Sequence, residues 1–414
     1  MDSQSGTNAA RERSKHDRHA FRLNTLLFEF QLLFNSADVA LKYDEVEPLA
    51  DIVGEIVSEY GETNISREQL LTLGEAELRS KEIQRSVRAR GSVKFPADVS
   101  FEDLLDVVDE SIVADVRAVS EPLISSIAST LDGAGGMASN AIAHELIARL
   151  QQVGSVMRSG ILSNACGSFE RHLTRLAYLA GDRRAVGERP LSARNLIELT
   201  NERLGAALDK SGELSKVIHS IFTERNSLLH REGRVDSVFQ QQMRDNSVTE
   251  EDMGAVLDLT DDDLRLKLSY LLGYALRAEF LDWNAIDEER SLLYSTLSFT
   301  QIHLLAQEHW ATLALVTDET FEEMVPTDIR PTTRVNYLIS LKHFVDDEVR
   351  AEYEQRVRAW EAPEDDTWQL AKLALLDEND AAVAMLTDKP ELLLVLEPIN
   401  RVFVDLMKDP RLVR

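Results

Sequence analysis

Apolar residues recur at spacings of three and four along most of the chain, and runs that alternate between apolar and polar residues are few. Glycine and proline, at 18 and 10 of 414 residues, are together well below average usage. This pattern predicts an all-α fold. One apolar stretch, Phe21–Phe34, is left open between helix and strand, because periodicity alone does not decide short apolar runs.

A series of amphipathic helices is predicted between residues 138 and 282. Short connections between helices of this length are typical of an antiparallel helical bundle. Polar caps and glycines give the expected boundaries. In chain order these are a start at Asn140, a break at Gly160, an end at Gly181, a cap at Ser192, an end beyond His230 and a start at Asp261.

Four parts of the chain are expected: a polar flexible tail over 1–20, an N-terminal helical region over 21–135, the bundle over 136–282 and helical hairpins over 283–414. Within the last part, Trp368–Leu376 and Ala381–Leu386 flank a polar turn. This arrangement resembles one tetratricopeptide-type unit, although the full repeat signature is absent. We expect an irregular array of helical hairpins that offers a surface to a protein partner.

Charge is distributed unevenly along the chain, whose net charge is −27. Residues 141–245 contain 15 Lys and Arg against 12 Asp and Glu, a net of +3, so the remaining residues carry −30. A polyanion is bound mainly by Lys and Arg, so the acidic total alone disfavours nucleic acid. The central segment is where a polyanion would meet the least repulsion, while the acidic flanks are either solvated helix faces or arms that shield the centre.

Several classes of site are excluded by their motifs. Cys166 is the single cysteine, which excludes an internal disulfide and multi-cysteine metal sites, and we expect it to be a small buried hydrophobe. His144 and Glu145 do not complete H-E-x-x-H. Gly133–Ala138 fits a dinucleotide-binding pattern but follows a predicted helix rather than a strand, so we expect a linker. No metal and no cofactor are predicted.

Targeting signals are also absent from the sequence pattern. The first 20 residues are polar and lack the apolar core of a signal peptide. No apolar run approaches the roughly 20 residues of a membrane-spanning helix. We therefore expect a cytoplasmic protein that does not interact with a membrane.

One motif remains, Arg225-Asn-Ser-Leu-Leu-His230, at the end of the fourth bundle helix. The Arg-to-His spacing is not specific by itself, because Arg11 with His16 and Arg13 with His19 also show it. The asparagine after Arg225, the amphipathic helix before the motif and the glycine-containing turn after it make this occurrence distinctive. In this form, and with Phe169-Glu170 on an earlier helix, it resembles the R-x(4–6)-H motif of the HEPN superfamily.

The resemblance covers about residues 138–282 and implies a metal-independent endoribonuclease. Such enzymes place their motifs at a homodimer interface and leave 2′,3′-cyclic phosphate and 5′-hydroxyl ends. The superfamily also implies a setting in bacterial defence or toxin-like RNA cleavage. Some HEPN domains are non-catalytic, so a dimerisation scaffold that binds a partner through residues 283–414 is the alternative.

RNA cleavage without a metal requires proton transfer at the 2′-hydroxyl and 5′-oxygen and stabilisation of charge on the phosphate. Histidine exchanges protons near neutral pH, and the arginine donor fork matches phosphate oxygens. We assign proton transfer to His230 and phosphate stabilisation to Arg225, and we expect Asn226 either to orient His230 or to form a hydrogen bond with the scissile phosphate. Three residues are weaker assignments to substrate binding: Glu170, as a partner that orients Arg225, and Arg231 and Arg234, as contacts to flanking phosphates.

The spacing of the motif imposes a geometric condition. On a regular helix five residues turn the chain by about 500°, which places His230 about 140° from Arg225. The two side chains converge if the helix ends or distorts near Leu229, or if a second copy of the chain completes the cleft. The structural alternatives are that Arg225 pairs with a carboxylate inside the bundle and that His230 stabilises the helix C-terminus.

Overall fold

The computed structural model describes residues 3–44, 140–180, 191–231, 233–246, 253–257, 259–285, 290–344, 353–395, 401–407, 409 and 411–412. Within these ranges the fold is all-α, as predicted, and the single β-type pairing is an isolated antiparallel bridge between Arg234 and Val256. The chain forms two compact units, Met1–Asn35 with Ser159–Arg414, and Ser36–Arg158. Most of the region predicted over 21–135, and the Gly133–Ala138 linker, lie outside the described residues.

The helices, numbered here in chain order, are long at the start of the chain and short at its end. They are α1 Ser3–Asp44, α2 Asn140–Leu179, α3 Ala193–Leu204, α4 Glu213–His230, α5 Ser237–Asp245, α6 Asp261–Asn284, α7 Ser291–Ala306, α8 Trp310–Leu315, α9 Glu319–Met324, α10 Arg330–Lys342, α11 Tyr353–Ala359, α12 Asp366–Leu375, α13 Asn379–Asp388 and α14 Val404–Met407. Short 3₁₀ segments span Gly205–Ala207, Pro390–Val395 and Arg401–Phe403. In the described part of the chain, no helix is both long and apolar enough to cross a membrane.

Several helix boundaries follow directly from capping chemistry. The Ser192 hydroxyl accepts a hydrogen bond from the Asn195 backbone N–H at 3.3 Å, which caps α3 as predicted. Thr260 caps α6 in the same way. Three aspartates lie in the first turn of α6, where their negative charges interact favourably with the positive end of the helix dipole. Asp209 accepts hydrogen bonds from the backbone N–H groups of Gly212 and Ser215, at 2.9 and 2.7 Å, and so fixes the start of α4.

Two expectations about the bundle and the N-terminus differ from the structure. The predicted break at Gly160 is not found, because α2 continues through that exposed glycine, whose absent side chain would meet no neighbouring atom. A glycine costs a helix only about 1 kcal/mol, which a long packed helix tolerates. Residues expected to form a flexible tail belong to α1 from Ser3 onward, and Phe21–Phe34 is helical.

The core of the central bundle lies around Phe169 of α2. Its ring is 5.8 Å from that of Phe222 in α4 and 5.5 Å from that of Tyr274 in α6, and all three residues are buried. The Tyr274 hydroxyl donates a hydrogen bond to the Asn201 side chain of α3 at 3.0 Å. Four helices therefore share one core, and this core positions α4, which carries the Arg225 motif.

Helix α6 also packs against the elements that follow it. The buried Arg277 side chain donates hydrogen bonds to the carbonyl oxygens of Ala207 and Leu315 and pairs with Asp318 at 2.6 Å. Gly273 lies so close to the Leu315 side chain that a methyl group at this position would overlap it. The predicted boundary at 282/283 thus lies inside one compact unit.

The predicted tetratricopeptide-like pair corresponds to α12 and α13, which are joined by a turn at Asp377 with φ of 58°.

Helix α1 is attached to the bundle by a buried polar cluster. The Glu279 carboxylate of α6 is fully buried and accepts hydrogen bonds from the Arg22 guanidinium at 2.5 and 3.2 Å. His19 Nδ1 lies 2.5 Å and His172 Nε2 3.2 Å from the same carboxylate. Burial alone would raise the pKa of Glu279, but its contacts with His172, His19 and Arg22 outweigh burial and hold the pKa well below its usual range.

Candidate functional site at the end of α4

The motif residues lie in the last turns of α4, which continues without distortion to His230. Because α4 stays helical through His230, its last residue, Arg225 and His230 point about 140° apart around it. Arg225 is half-buried, whereas Asn226 and His230 are exposed. One chain therefore does not place the arginine and the histidine on a single narrow face.

Asn226 reduces this separation. Arg225 Nη1 donates a hydrogen bond to the Asn226 side-chain oxygen at 2.9 Å, which holds the guanidinium on the Asn226 side of α4. Asn226 and His230 are four residues apart, so they occupy neighbouring positions on one helix face. The asparagine thus directs the guanidinium toward the face that carries the histidine, which gives the R-N-x-x-x-H form of the motif a physical reason.

The inner side of Arg225 faces α2. Its Nε atom is buried and makes no hydrogen bond, and Arg225 forms no ion pair within the described part of the chain. Burial raises the pKa of the half-buried Glu170 carboxyl, and the positive charge of Arg225 offsets part of that effect. The interaction between Glu170 and Arg225 is therefore a longer-range electrostatic attraction and not an ion pair at contact distance.

Cys166 lies one helical turn before Glu170 on α2. Burial raises the pKa of its thiol to about 12, against the opposing influence of Arg225, so the thiol remains protonated at neutral pH. A protonated buried thiol is neither a nucleophile nor a metal ligand. The expectation of a small buried hydrophobe is confirmed by its complete burial.

The turn after His230 is held by a compact set of hydrogen bonds. The Ser227 carbonyl accepts from the N–H groups of Arg231 and Gly233, at 2.9 and 3.1 Å, and the Ser227 hydroxyl donates to the Arg234 carbonyl at 3.0 Å. Gly233 has φ of 71°, a left-handed conformation that glycine adopts without strain. The segment 253–257 forms backbone hydrogen bonds with this turn, and its Ala255 and Leu257 pack against the buried side chains of α5.

The two arginines assigned to flanking phosphates lie in different environments. Arg231 pairs with Asp236 at 2.5 Å, and Asp236 also caps α5 through the Phe239 N–H at 2.8 Å. Arg234 is exposed. Arg231 is therefore occupied by a structural partner, and Arg234 is the better placed of the two to meet a phosphate.

His219 is a polar residue of α4 that the sequence reasoning did not single out. It precedes Asn226 by seven residues, so His219, Asn226 and His230 lie within about 40° of one another around the helix. His219 is half-buried, and burial and the nearby Arg194 both lower its pKa. The spacing of seven and eleven residues from His219 was the signal in the sequence that could have identified this stripe.

The geometry can support proton transfer and phosphate binding along one side of α4. Its donors are the guanidinium of Arg225, the amide of Asn226 and the imidazoles of His219 and His230. Among the described residues, no group of three or more His, Cys, Asp or Glu side chains is arranged to hold a metal ion. Comparisons of this chain with family models, with curated proteins and with solved structures give no match.

Proposed function

We propose that this protein is a metal-independent endoribonuclease of the HEPN type, in which Arg225 binds the scissile phosphate and His230 transfers a proton. The observation that carries the proposal is the hydrogen bond from Arg225 to Asn226, four residues before an exposed His230. This contact orients a guanidinium that has no carboxylate partner in the described structure toward the face of the histidine. An arginine with only a structural role is normally satisfied by a carboxylate when it is partly buried.

The proposed reaction is an attack of the RNA 2′-hydroxyl on the adjacent phosphate. Arg225 stabilises the negative charge that develops on the phosphate oxygens, and His230 exchanges a proton with the attacking or the leaving oxygen. The products are a 2′,3′-cyclic phosphate end and a 5′-hydroxyl end. Because α4 is regular through His230, a second copy of the chain, related by a two-fold axis, completes the cleft in this proposal. A defence or toxin-like setting belongs to the same proposal.

The decisive experiment is incubation of the purified protein with RNA in the presence of EDTA. We expect cleavage in EDTA and products that carry 2′,3′-cyclic phosphate. The His230→Ala variant should lose activity by about 10² to 10⁴-fold, the usual contribution of a general acid or base. Arg225→Ala should lose about 10² to 10³-fold, the usual cost of removing one donor that stabilises developing charge. Lys210→Ala, which removes a positive charge elsewhere in the bundle, is the control that should retain activity.

Asn226 gives a sharper variant. Asn226→Ala should lower kcat because it releases the Arg225 guanidinium, whereas Asn226→Asp keeps an acceptor oxygen in place. Partial recovery in Asn226→Asp would support an orienting role for this residue. Cleavage that requires a divalent ion, or variants as active as the wild type, would contradict the mechanism.

A second candidate is a scaffold that binds a protein partner through the C-terminal hairpins. Leu393, in the 3₁₀ segment after α13, is 45% exposed and belongs to the surface that such a partner would contact. It predicts no RNA cleavage under any condition. Deletion of residues 283–414 is an unsuitable test, because α8 packs against α6 through Thr312 and Leu315. Replacement of Leu393 by Glu is a suitable test, because it alters the surface and leaves the core intact.

A further inference from the structure

An uncharged face with a large apolar area lies between α1 and α7. A groove of about 560 Å³ runs between the two helices, and its lining contains no Asp, Glu, Lys or Arg. Two phenylalanines in this lining protrude into solvent: Phe28 is 66% exposed and Phe299 is 72% exposed. Phe21 lies seven residues before Phe28 on the same stripe of α1 and is also 72% exposed. In a chain with 28% charged residues, a face of this composition requires an explanation.

We propose that this α1–α7 face is a two-fold interface between two copies of the chain. The face contains both a groove and protruding phenylalanines. A two-fold interface brings the same patch of each subunit together, so each copy must supply both the protrusion and the recess that receives it. Phe28 and Phe299 of one copy would enter the groove of the other.

The exposed area of the face matches the requirement of a dimer. An aromatic side chain has about 200 Å² to bury, so the three phenylalanines with the partly exposed Leu292 offer about 500 Å² of apolar surface. A standard interface buries about 800 Å² on each partner, of which roughly 60% is apolar. The face therefore supplies about the whole apolar core of such an interface.

The absence of charged residues in the groove makes it a more favourable place for contact between two copies than the acidic parts of the surface. Two chains of net charge −27 repel each other wherever their acidic surfaces meet. The α1–α7 groove is lined by polar amides, hydroxyls and apolar groups, and burial lowers the pKa of its single histidine, His303, which favours the neutral form. Within the groove, two copies can therefore meet without like charges in contact.

The interface is separate from the end of α4, so this inference does not depend on the proposed function. If the C-terminal ends of α4 from two copies also pair, the wild-type chain forms oligomers larger than a dimer. Variants that lose the α1–α7 contact are then dimers. If they do not pair, loss of the contact leaves a monomer.

The test is the molar mass of the full chain in sedimentation over a range of concentrations, for the wild type and for Phe28→Glu and Phe299→Glu. Each variant should weaken association by at least about tenfold, which is the loss expected for one interface anchor. Tyr178→Glu, at an exposed aromatic residue on α2, is the matched control and should associate like the wild type. All three positions are exposed, so these variants retain their cores.

Cysteine cross-linking provides an independent readout. The thiol of Cys166 is buried, so an added cysteine at Asn24, Gln31 or Thr296 in the groove is the reactive one. At least one of these should form a disulfide-linked dimer on mild oxidation, and Ser211→Cys should not. A wild type that remains monomeric at all concentrations, masses unchanged by Phe28→Glu and Phe299→Glu, or a face that binds only a different protein would overturn the proposal.

Discussion

The same Arg-to-His spacing occurs in α1 and in α4, yet the two histidines of α1 and the histidine of α4 have opposite surroundings. His16 and His19 are buried, and His19 stacks on Trp283 with ring centres 5.4 Å apart and contacts Glu279. His16 accepts a hydrogen bond from the Trp283 ring N–H at 2.5 Å. His230 is exposed at the end of its helix. The spacing is thus shared by a structural cluster and by a candidate site.

The comparison shows that partners, rather than spacing, separate the two roles. Around Glu279, an arginine and two histidines converge on one carboxylate, so the charges satisfy one another. The Arg225 guanidinium, in contrast, donates a hydrogen bond to the Asn226 amide oxygen, and the Glu170 carboxyl interacts with it only at longer range. A cluster of mutually satisfied charges stabilises the fold, whereas a cluster with unused donors is suited to binding an anion.

The largest predicted effect is on stability at Glu279. Glu279→Gln should lower the free energy of unfolding by about 3–5 kcal/mol, because it leaves the buried Arg22 charge without a carboxylate. The matched variant Glu170→Gln should change it by less than about 1 kcal/mol, since that carboxyl is partly exposed and forms no close ion pair. Urea denaturation of both variants measures the difference. Equal losses would mean that the two clusters do not differ in kind.

A crossed pair of histidine variants should separate stability from activity. His19→Ala should cost about 1–3 kcal/mol because it removes a buried hydrogen-bonding partner of Glu279. His230→Ala should stay within about 0.5 kcal/mol of the wild type, as exposed residues usually do, yet lose RNA cleavage. Thermal denaturation and a cleavage assay on the same preparations provide the two readouts. A stable, inactive His19→Ala would reverse the assignment of the two regions.

The pH dependence of stability should also distinguish the clusters. Because the pKa of Glu279 is lower in the folded than in the unfolded chain, its contribution is present above the unfolded value near 4.5 and is lost as the pH falls below it. The difference in unfolding free energy between the wild type and Glu279→Gln should therefore shrink from pH 6 toward pH 3. A difference that stayed constant over this range would show that the Glu279 pKa is not depressed.

The smallest effect is expected at Arg231. Its ion pair with Asp236 is partly exposed, so Arg231→Ala should change stability by about 0–1 kcal/mol. Since Arg231 is occupied by Asp236, this variant should also cleave RNA nearly as well as the wild type, whereas Arg234→Ala should bind RNA more weakly. Titration of a short RNA with each variant checks this order. Weaker binding by Arg231→Ala than by Arg234→Ala would contradict it.

Local chemistry made part of the fold predictable. The cap at Ser192, the start of α6 at Asp261 and the α12–α13 pair depend on residues within a few positions of each other, and they were found where expected. The passage of α2 through Gly160 was not predictable, because the packing of a long helix overrides a local penalty. The burial of His16 and His19 depends on partners far along the chain, which no local pattern reveals.

The candidate site was predictable in residue type but not in arrangement. The motif identified Arg225, Asn226 and His230, and the helix period gave their angular separation. It did not reveal the hydrogen bond from Arg225 to Asn226 or the ion pair between Arg231 and Asp236. It also did not reveal that His219 lies on the same side of α4 as Asn226 and His230. Each of these depends on side-chain geometry across a turn or between helices. Whether these residues cleave RNA stays a prediction.

The attachment of α1 to Glu279 has a consequence for the synthesis of the chain. His19 and Glu279 are 260 residues apart in sequence, so α1 leaves the ribosome long before its partner carboxylate exists. At about 5–20 residues per second, that interval lasts roughly 10–50 s. During this time α1, whose Leu23, Leu26 and Phe30 are buried in the folded protein, cannot make its contact with α6. The nascent chain therefore passes through a long interval in which α1 is a natural target for a chaperone.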